Sequence, residues 1–566
     1  MRGKMMKRRM LGVVSLLMLV LVVATQAADL PDGVVMQQVM QSIRGSAIRA
    51  HMRFLSDSLL EGRAPGTRGY DIAARYVQAE LEAIGLKAAG ANDGWYQNVP
   101  LRKSVVDAAQ SSFTLISSGK EERLTDGKDY LLTPDMLRQQ SSVEAPVVFV
   151  GFGVTAPNQK YDDYSGIDVK GKIVALIYGA PAKFPSTERA YYSDGLVKQR
   201  NAVAHGAIGM LDLMLPEDWK RYSWDWLRPQ VESGDMRWLD GAGKPHDAFV
   251  ELKGKALLND SAGKKLFAGA ERTLEQVSET ARKGEPQAFP LPVTVRLQVA
   301  SRQSKLQSAN VVAKIEGSDP ALRNEYVVYT AHLDHLGICP PVAGDNVCHG
   351  AIDNASGTAT LLEIARAYSN LATPPRRSVI FVFVTGEEMG LLGSDFYATS
   401  PTVPREAIVA NVNIDGAPGL YFAMKDVVPM GPEHSNLAKN VEEAAQKLGY
   451  ELSPDPMPEE VSFIRSDQYS FVLQGIPAVY ITDGVKALDP KIDGLNVIKR
   501  WLTTRYHTPG DNMAQPLDFE SAAKGTRLNF LIGYLIAQQD KRPEWNSGDF
   551  FGVTFGKVPK LTVGSR

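Results

Sequence analysis

From Glu325 onward, short apolar runs recur between amphipathic stretches. The runs "EYVVYTA", "RSVIFVFVT", "EAIVANVNI" and "IPAVYIT" are nearly free of polar residues, the pattern of strands buried on both faces. Between them, "TATLLEIARAYSNL" and "HSNLAKNVEEAAQKLGY" carry apolar residues at helical spacing. Strands alternating with helices predict an α/β sandwich around a largely parallel sheet.

The earlier chain reads differently. "GYDIAARYVQAELEAIGL" is helical up to Gly85, preceded by the Gly/Pro-bearing loop "EGRAPGTRG". From about residue 140, "APVVFVGFGV" and "GKIVALIYGAP" are short β-rich runs separated by turn residues, and "LVKQRNAVAHGAIGMLDLM" predicts a helix entering another strand. Residues 140–288 are therefore expected to form an inserted β-rich domain. The main domain is then assembled from 28–139 and 289–540, with a polar tail over 541–566. Four of the seven tryptophans (Trp219, Trp224, Trp226 and Trp238) fall in the insert, where packing is the favoured role.

The first residues change the compartment. "MRGKMMKRRM" is basic, "LGVVSLLMLVLVVA" is apolar, and "TQAAD" offers small residues for cleavage after Ala27. That is the layout of a secretory signal peptide over residues 1–27, too short for a comfortable membrane span. Export to the periplasm or medium is expected, with no stable membrane insertion after cleavage. In that compartment Cys339 and Cys348, the only cysteines, predict a disulfide closing "CPPVAGDNVC". Sixty-two basic residues against 64 acidic leave no strong basic field, which argues against nucleic acid as a partner. Oligomeric state is not legible.

Two adjacent acids, Glu387 and Glu388, end the most apolar of the runs. Buried like charges are costly without a positive partner. Other chemistry-bearing residues also follow strand ends: His332, Asp334 and His335 in "HLDH", and Asp415 after "IVANVNI". Asp353 opens a helix and His507 stands in "RYHTPGDN". Ligand sites of open α/β sheets lie at the carboxyl ends of strands. Each residue has a plain alternative, such as a helix cap for Asp353, a core histidine for His332, or a solvated loop acid for Glu387. Together, two His, two Asp and one Glu form a donor set suited to zinc. Five ligands serve two metals that share one carboxylate, leaving the other Glu as an acid/base group.

The stretches "LLEGRAPGTRG", "TAHLDH", "GAIDNASGTATLLEIAR", "TGEEMGLLGS", "NID" and "YHTPGDN" resemble, in order and spacing, the zinc-dependent aminopeptidase family. That family includes secreted bacterial leucyl aminopeptidases and, more distantly, glutamate carboxypeptidase. The insert resembles a protease-associated domain. The resemblance implies a three-layer α/β sandwich with a mixed, mostly parallel sheet, two Zn2+ per chain and peptide substrates.

Residue by residue, it implies that Asp353 bridges the metals. His332 and Asp415 would complete one site, and Glu388 and His507 the other. Glu387 would be the general base, Asp334 the group orienting His332, and Tyr506 a phenol stabilising the oxyanion. A cis peptide bond is implied after Asp353. Arg465 and Asp467 would line the pocket or support it. His335 and His349 have no assigned role, and His434 is expected to cap a helix or face solvent. The expected function is an exported dinuclear zinc aminopeptidase. Carboxypeptidase or dipeptidase action is the main alternative; a glutaminyl cyclase or a receptor-like protein without activity ranks lower.

Overall fold

The computed structural model describes residues 33–285 and 288–556; the signal-peptide reading falls outside them. The central sheet contains β1 (Tyr96–Val106), β2 (Phe289–Ile315), β3 (Tyr326–His332), β4 (Ser378–Val384), β5 (Ile408–Asn413), β6 (Asp426–Met430) and β7 (Ala478–Asp483). Their spatial order is β1–β2–β4–β3–β5–β7–β6. The middle four strands are parallel, and the flanking pairs are antiparallel. This is the mixed, mostly parallel α/β sheet that the sequence predicts.

The apolar runs are explained by two cores. Val379, Phe381 and Phe383 of β4 join one buried cluster, while Ile380, Val382 and Val384 join another on the opposite face. Alternation of side chains along a strand sends neighbours to opposite faces, so a strand covered on both sides has no polar phase. On the first face pack α1 (Arg68–Ala83), α2 (Gly357–Ser369), α3 (Leu437–Leu448) and α5 (Phe519–Gln538). Between the last two, α4 (Gly494–Thr504) is half exposed, with only Gly494 buried. Thr67 caps α1 by accepting the N–H of Tyr70, and α3 ends at Gly449, whose φ of 67° suits a residue without a side chain.

A second sheet has its own apolar core. It includes strands Gln140–Phe149, Ile173–Ile177, Gly209–Leu213 and Lys255–Leu258, and it also draws on 112–132. β2 belongs to both sheets. Residues 294–298 pair with Ser112–Ile116, whereas residues 301–311 pair with β1. One continuous strand thus ties the second sheet to the first.

Five contacts locate these four tryptophans. Trp238 is buried, stacks on His246 and donates Nε1–H to Asp395 at 2.7 Å. Trp219 packs against Trp224, Trp224 donates to Gly127 O, and Trp226 lies against Tyr222. His434, expected at a cap or in solvent, is buried and pairs with Asp549 at 2.6 Å. Among the described residues no helix is long and apolar enough to cross a membrane.

Candidate metal centre

Three parallel strands deliver His332, Asp415 and the Glu387–Glu388 pair to one edge of the sheet, while Asp353 enters from the segment before α2 and His507 from the loop after α4. β3 ends at His332, and the chain is held past that point by Leu333 N–H donating to Val384 O. β5 ends at Asn413, and Ile414 N–H donates to Thr330 O just before Asp415. After β4 the chain turns at Gly386, whose φ is 70°, so Glu387 and Glu388 lie in a turn and not in extended chain.

Asp353 stands at the centre. Its Oδ1 is 3.2 Å from His332 Nε2 and its Oδ2 is 3.3 Å from His507 Nε2. On the first side, Asp415 Oδ1 lies 3.3 Å from the same His332 nitrogen. On the second, Glu388 Oε2 lies 2.9 Å from His507 Nε2. Glu387 is farther out, 4.0 Å from His332 Nε2. The five expected ligands therefore converge in two groups about one shared carboxylate. The Asp353–Asn354 peptide is cis.

Supporting groups fix these side chains from behind. The Asp334 carboxylate accepts the backbone N–H of Glu387 at 3.2 Å and of Glu388 at 3.4 Å. The His332 imidazole instead meets the Asp334 backbone carbonyl, Nδ1 to O at 3.3 Å. The expected orienting role thus passes to the main chain, and the carboxylate anchors the acid pair.

Four further supports escaped sequence reasoning. Asp511 accepts the N–H groups of Ile352 and Asp353. Asn354 Oδ1 accepts those of Gly357 and Gly416, joining the Asp353 and Asp415 loops. Ser466 donates to Asp415 Oδ2 at 2.7 Å. Arg63, 1% exposed, donates to the carbonyls of Leu55, Leu333, His349 and Gly350. The usable signal was weak: Asp511 and Arg63 sit inside quoted motifs, but nothing in their spacing distinguishes a brace from a loop residue.

His335, left without a role, is fully buried and its Nδ1 hydrogen-bonds Glu388 Oε1. With Asp353 and Glu388 it forms a third group compatible with a cation. His349 pairs with Asp345 through Nε2 and with the Ser56 carbonyl through Nδ1. Tyr506 stacks on His507 with ring centroids 3.7 Å apart, and its hydroxyl accepts from Arg465 at 3.1 Å. Both line a cavity of about 200 Å3 beside Asp353, Glu387 and Asp415. Asp467 lies fully buried outside the cavity lining, its carboxyl lifted by burial to about 6. Cys339 and Cys348 form the disulfide, with Cα atoms 5.9 Å apart. It staples a hairpin (Gly337–Val342 with Asp345–Cys348) that packs on Leu60–Arg63 and does not line the cavity.

The electrostatics call for a cation. Burial, with Glu388 and Asp415 nearby, pushes Glu387 well above the usual carboxylate range, opposed by His332. Against burial and against Asp353, His507 and His335 hold Glu388 down at about 2. Against its own burial, Glu388 and Asp353 raise His507 to about 9. Histidines here compensate carboxylates that a metal would neutralise, and buried His507 has no hydrogen bond of proper geometry at either ring nitrogen. A histidine nitrogen that meets two carboxylates without hydrogen-bond geometry, as His507 Nε2 does, fits zinc. Among the described residues, no such group includes a residue of 140–288.

Residues 310–530 match the model of peptidase family M28. The chain is 36% identical over 134 residues to an aminopeptidase of Mus musculus, covering 23% of this chain and 16% of that protein. It is 23% identical over 474 residues to a glutamate carboxypeptidase 2 homologue of Caenorhabditis elegans, covering 72% and 56%. The matches thus span less than two thirds of either relative. The solved aminopeptidase from Aneurinibacillus sp. strain AM-1 has a similar fold, with a TM-score of 0.52 at 19% identity over 90% of this chain and 97% of that one. Residues 310–530, the stretch similar to peptidase family M28, hold every residue of the two groups around Asp353.

Proposed function

We propose that this protein is an exported dinuclear zinc aminopeptidase that removes N-terminal residues from peptides. The observation that carries the reading is Asp353, whose two oxygens face two different histidines. His332 and Asp415 would hold one zinc, Glu388 and His507 the other, with Asp353 between them. When bound, the zinc pair supplies Lewis acidity toward a carbonyl and lowers the pKa of water.

The chain's own residues do the rest. Glu387 lines the cavity beside the ligands, where it would accept a proton from water and return it to the leaving amine. The Tyr506 hydroxyl, on the cavity wall, is placed to donate to the oxygen that gains charge. Asp334 keeps Glu387 and Glu388 in register through their amides.

The choice of terminus rests on charge. Beyond the expected ligands and Glu387, the cavity wall carries Asp455, Glu460 and Asp483. Glu460 is paired with Arg221 and Arg465, so Asp455 and Asp483 are the carboxylates that favour a substrate ammonium. Arg465 on the same wall favours the second reading, a carboxypeptidase or dipeptidase that clamps a carboxylate. A peptide-library digest read by mass spectrometry separates these readings. Products shortened from the amino end support the proposal, and products shortened from the carboxyl end overturn it. The second sheet is proposed as a protease-associated domain. Cleavage after Ala27 would leave Ala28 as the first residue of the exported protein, which N-terminal sequencing of the periplasmic or secreted form tests.

A further inference from the structure

A second cavity, of about 400 Å3, lies in the β-rich sheet and reaches the first cavity at one residue. Its walls are mostly apolar, including Leu176, Tyr178, Trp226 and Leu257. Arg465 lines both cavities, and its side chain is 37% exposed. Glu460 stands 3.6 Å from Arg465 and is also held from the inserted segment, by Arg221 at 3.1 Å and by the Tyr222 hydroxyl at 3.0 Å. The two cavities are therefore joined through a wall that both parts of the chain build.

Their charges differ in sign. The second cavity holds Lys198, Lys255 and Arg465 against a single acid, Asp212. Lys255 faces Asp212 at 3.6 Å, and Lys198 is held at longer range by Asp212 and by buried Asp163. Lys198 is 3% exposed and donates to Ile177 O at 2.7 Å. No carboxylate lies within ion-pair distance of it among the described residues. An ammonium buried at an apolar wall without a paired anion is costly unless an anion completes the site. The first cavity, in contrast, carries Asp455 and Asp483, which favour an amine.

We propose that the second cavity receives the C-terminal carboxylate end of a short unblocked peptide whose amino end lies at the metal centre. The inference rests on the aminopeptidase reading and adds a substrate class, short free peptides with an apolar last residue. Leu176, Tyr178, Trp226 and Leu257 surround that residue, Lys198 meets its carboxylate, and Arg465 spans the chain between the two ends.

The test compares each peptide acid with its C-terminal amide, over two to six residues ending in Leu or Phe. In the wild type, kcat/KM for the acid exceeds that for the amide by roughly 10-fold at the favoured length, the scale of one charge-assisted contact. Lys198→Met brings that ratio toward one. Val231→Glu, on the half-exposed cavity wall, reverses it, which guards against misfolding of the buried variant. Equal rates for acid and amide in the wild type, with residues still released from the amino end, overturn this inference and leave the aminopeptidase reading standing. Release from the carboxyl end overturns both. A ratio unmoved by both substitutions also overturns the assignment of the cavity.

Discussion

Asp334 Oδ1 accepts the backbone N–H of Glu387 at 3.2 Å, and the other oxygen of the same carboxylate takes the N–H of Glu388. One acid thereby sets the register of two others. Asp334→Asn keeps the volume but turns one acceptor into a donor that faces an amide. We expect activity or metal affinity to fall by roughly 10–100-fold, the usual cost of losing a group that orients ligands. Zinc content measured beside kcat/KM checks this, and a fully active variant with both metals would contradict it.

Glu387 and Glu388 are neighbours with different surroundings. Glu388 touches both His507 and His335, whereas Glu387 approaches only His332, at 4.0 Å. Glu387→Gln is expected to keep zinc and lose roughly 10²–10⁴-fold in kcat, with KM little changed. Glu388→Gln is expected to lose one metal and to recover part of its activity in added zinc. Metal analysis with single-turnover rates distinguishes the two; the opposite pattern would exchange their roles.

Arg63 donates to four main-chain carbonyls, among them those of Leu333 and His349, which flank the metal-centre loops. Burial lowers its pKa to about 10, leaving it charged at neutral pH. Arg63→Met strands buried carbonyls and should destabilise the fold by about 3 kcal/mol. Arg63→Lys keeps the charge but cannot span the same acceptors. Thermal unfolding and zinc titration should both worsen in Arg63→Lys; unchanged zinc affinity would show that the brace does not reach the site.

Outside the candidate metal centre, Asp163 offers a pH test. Burial raises its carboxyl from 3.8 to about 7, opposed by the N–H of Val154, the Tyr161 hydroxyl and Lys198. The folded state therefore holds this proton more tightly than the unfolded chain. Its burial is without penalty below about pH 4, and the penalty grows through pH 7 to at most about 4 kcal/mol. Asp163→Asn stays neutral throughout. The variant's melting temperature relative to wild type should rise between pH 5 and 8, and a flat difference would refute the displaced titration.

The hairpin closed by Cys339 and Cys348 packs on the segment that carries Arg63. Replacing both cysteines by serine should lower stability by about 2–3 kcal/mol in the chain-entropy model. Mass mapping of unreduced protein should find no free thiol. Two free thiols would remove the staple from the account.

The strands, the helices that cover them and the five residues around Asp353 were legible because each rests on a local pattern. A strand buried on both faces must be apolar throughout, as β4 is, and a residue just past its end must lie at the sheet edge. The adjacent pair Glu387–Glu388 announced a positive partner because two buried carboxylates need one. The sequence by itself therefore determined the sheet and the edge at which His332, Glu387, Glu388 and Asp415 stand. Arg63, Asn354, Asp511 and the carboxylate of Asp334 were decided only by tertiary structure. Each meets backbone groups of another loop, with Arg63 and Leu333 separated by 270 positions. Main-chain N–H and C=O groups are the same at every residue, so no side-chain pattern marks which of them a distant arginine or aspartate will meet. The same holds for the junction at Arg465: a charge step between two cavities exists only once both sheets have packed against one side chain.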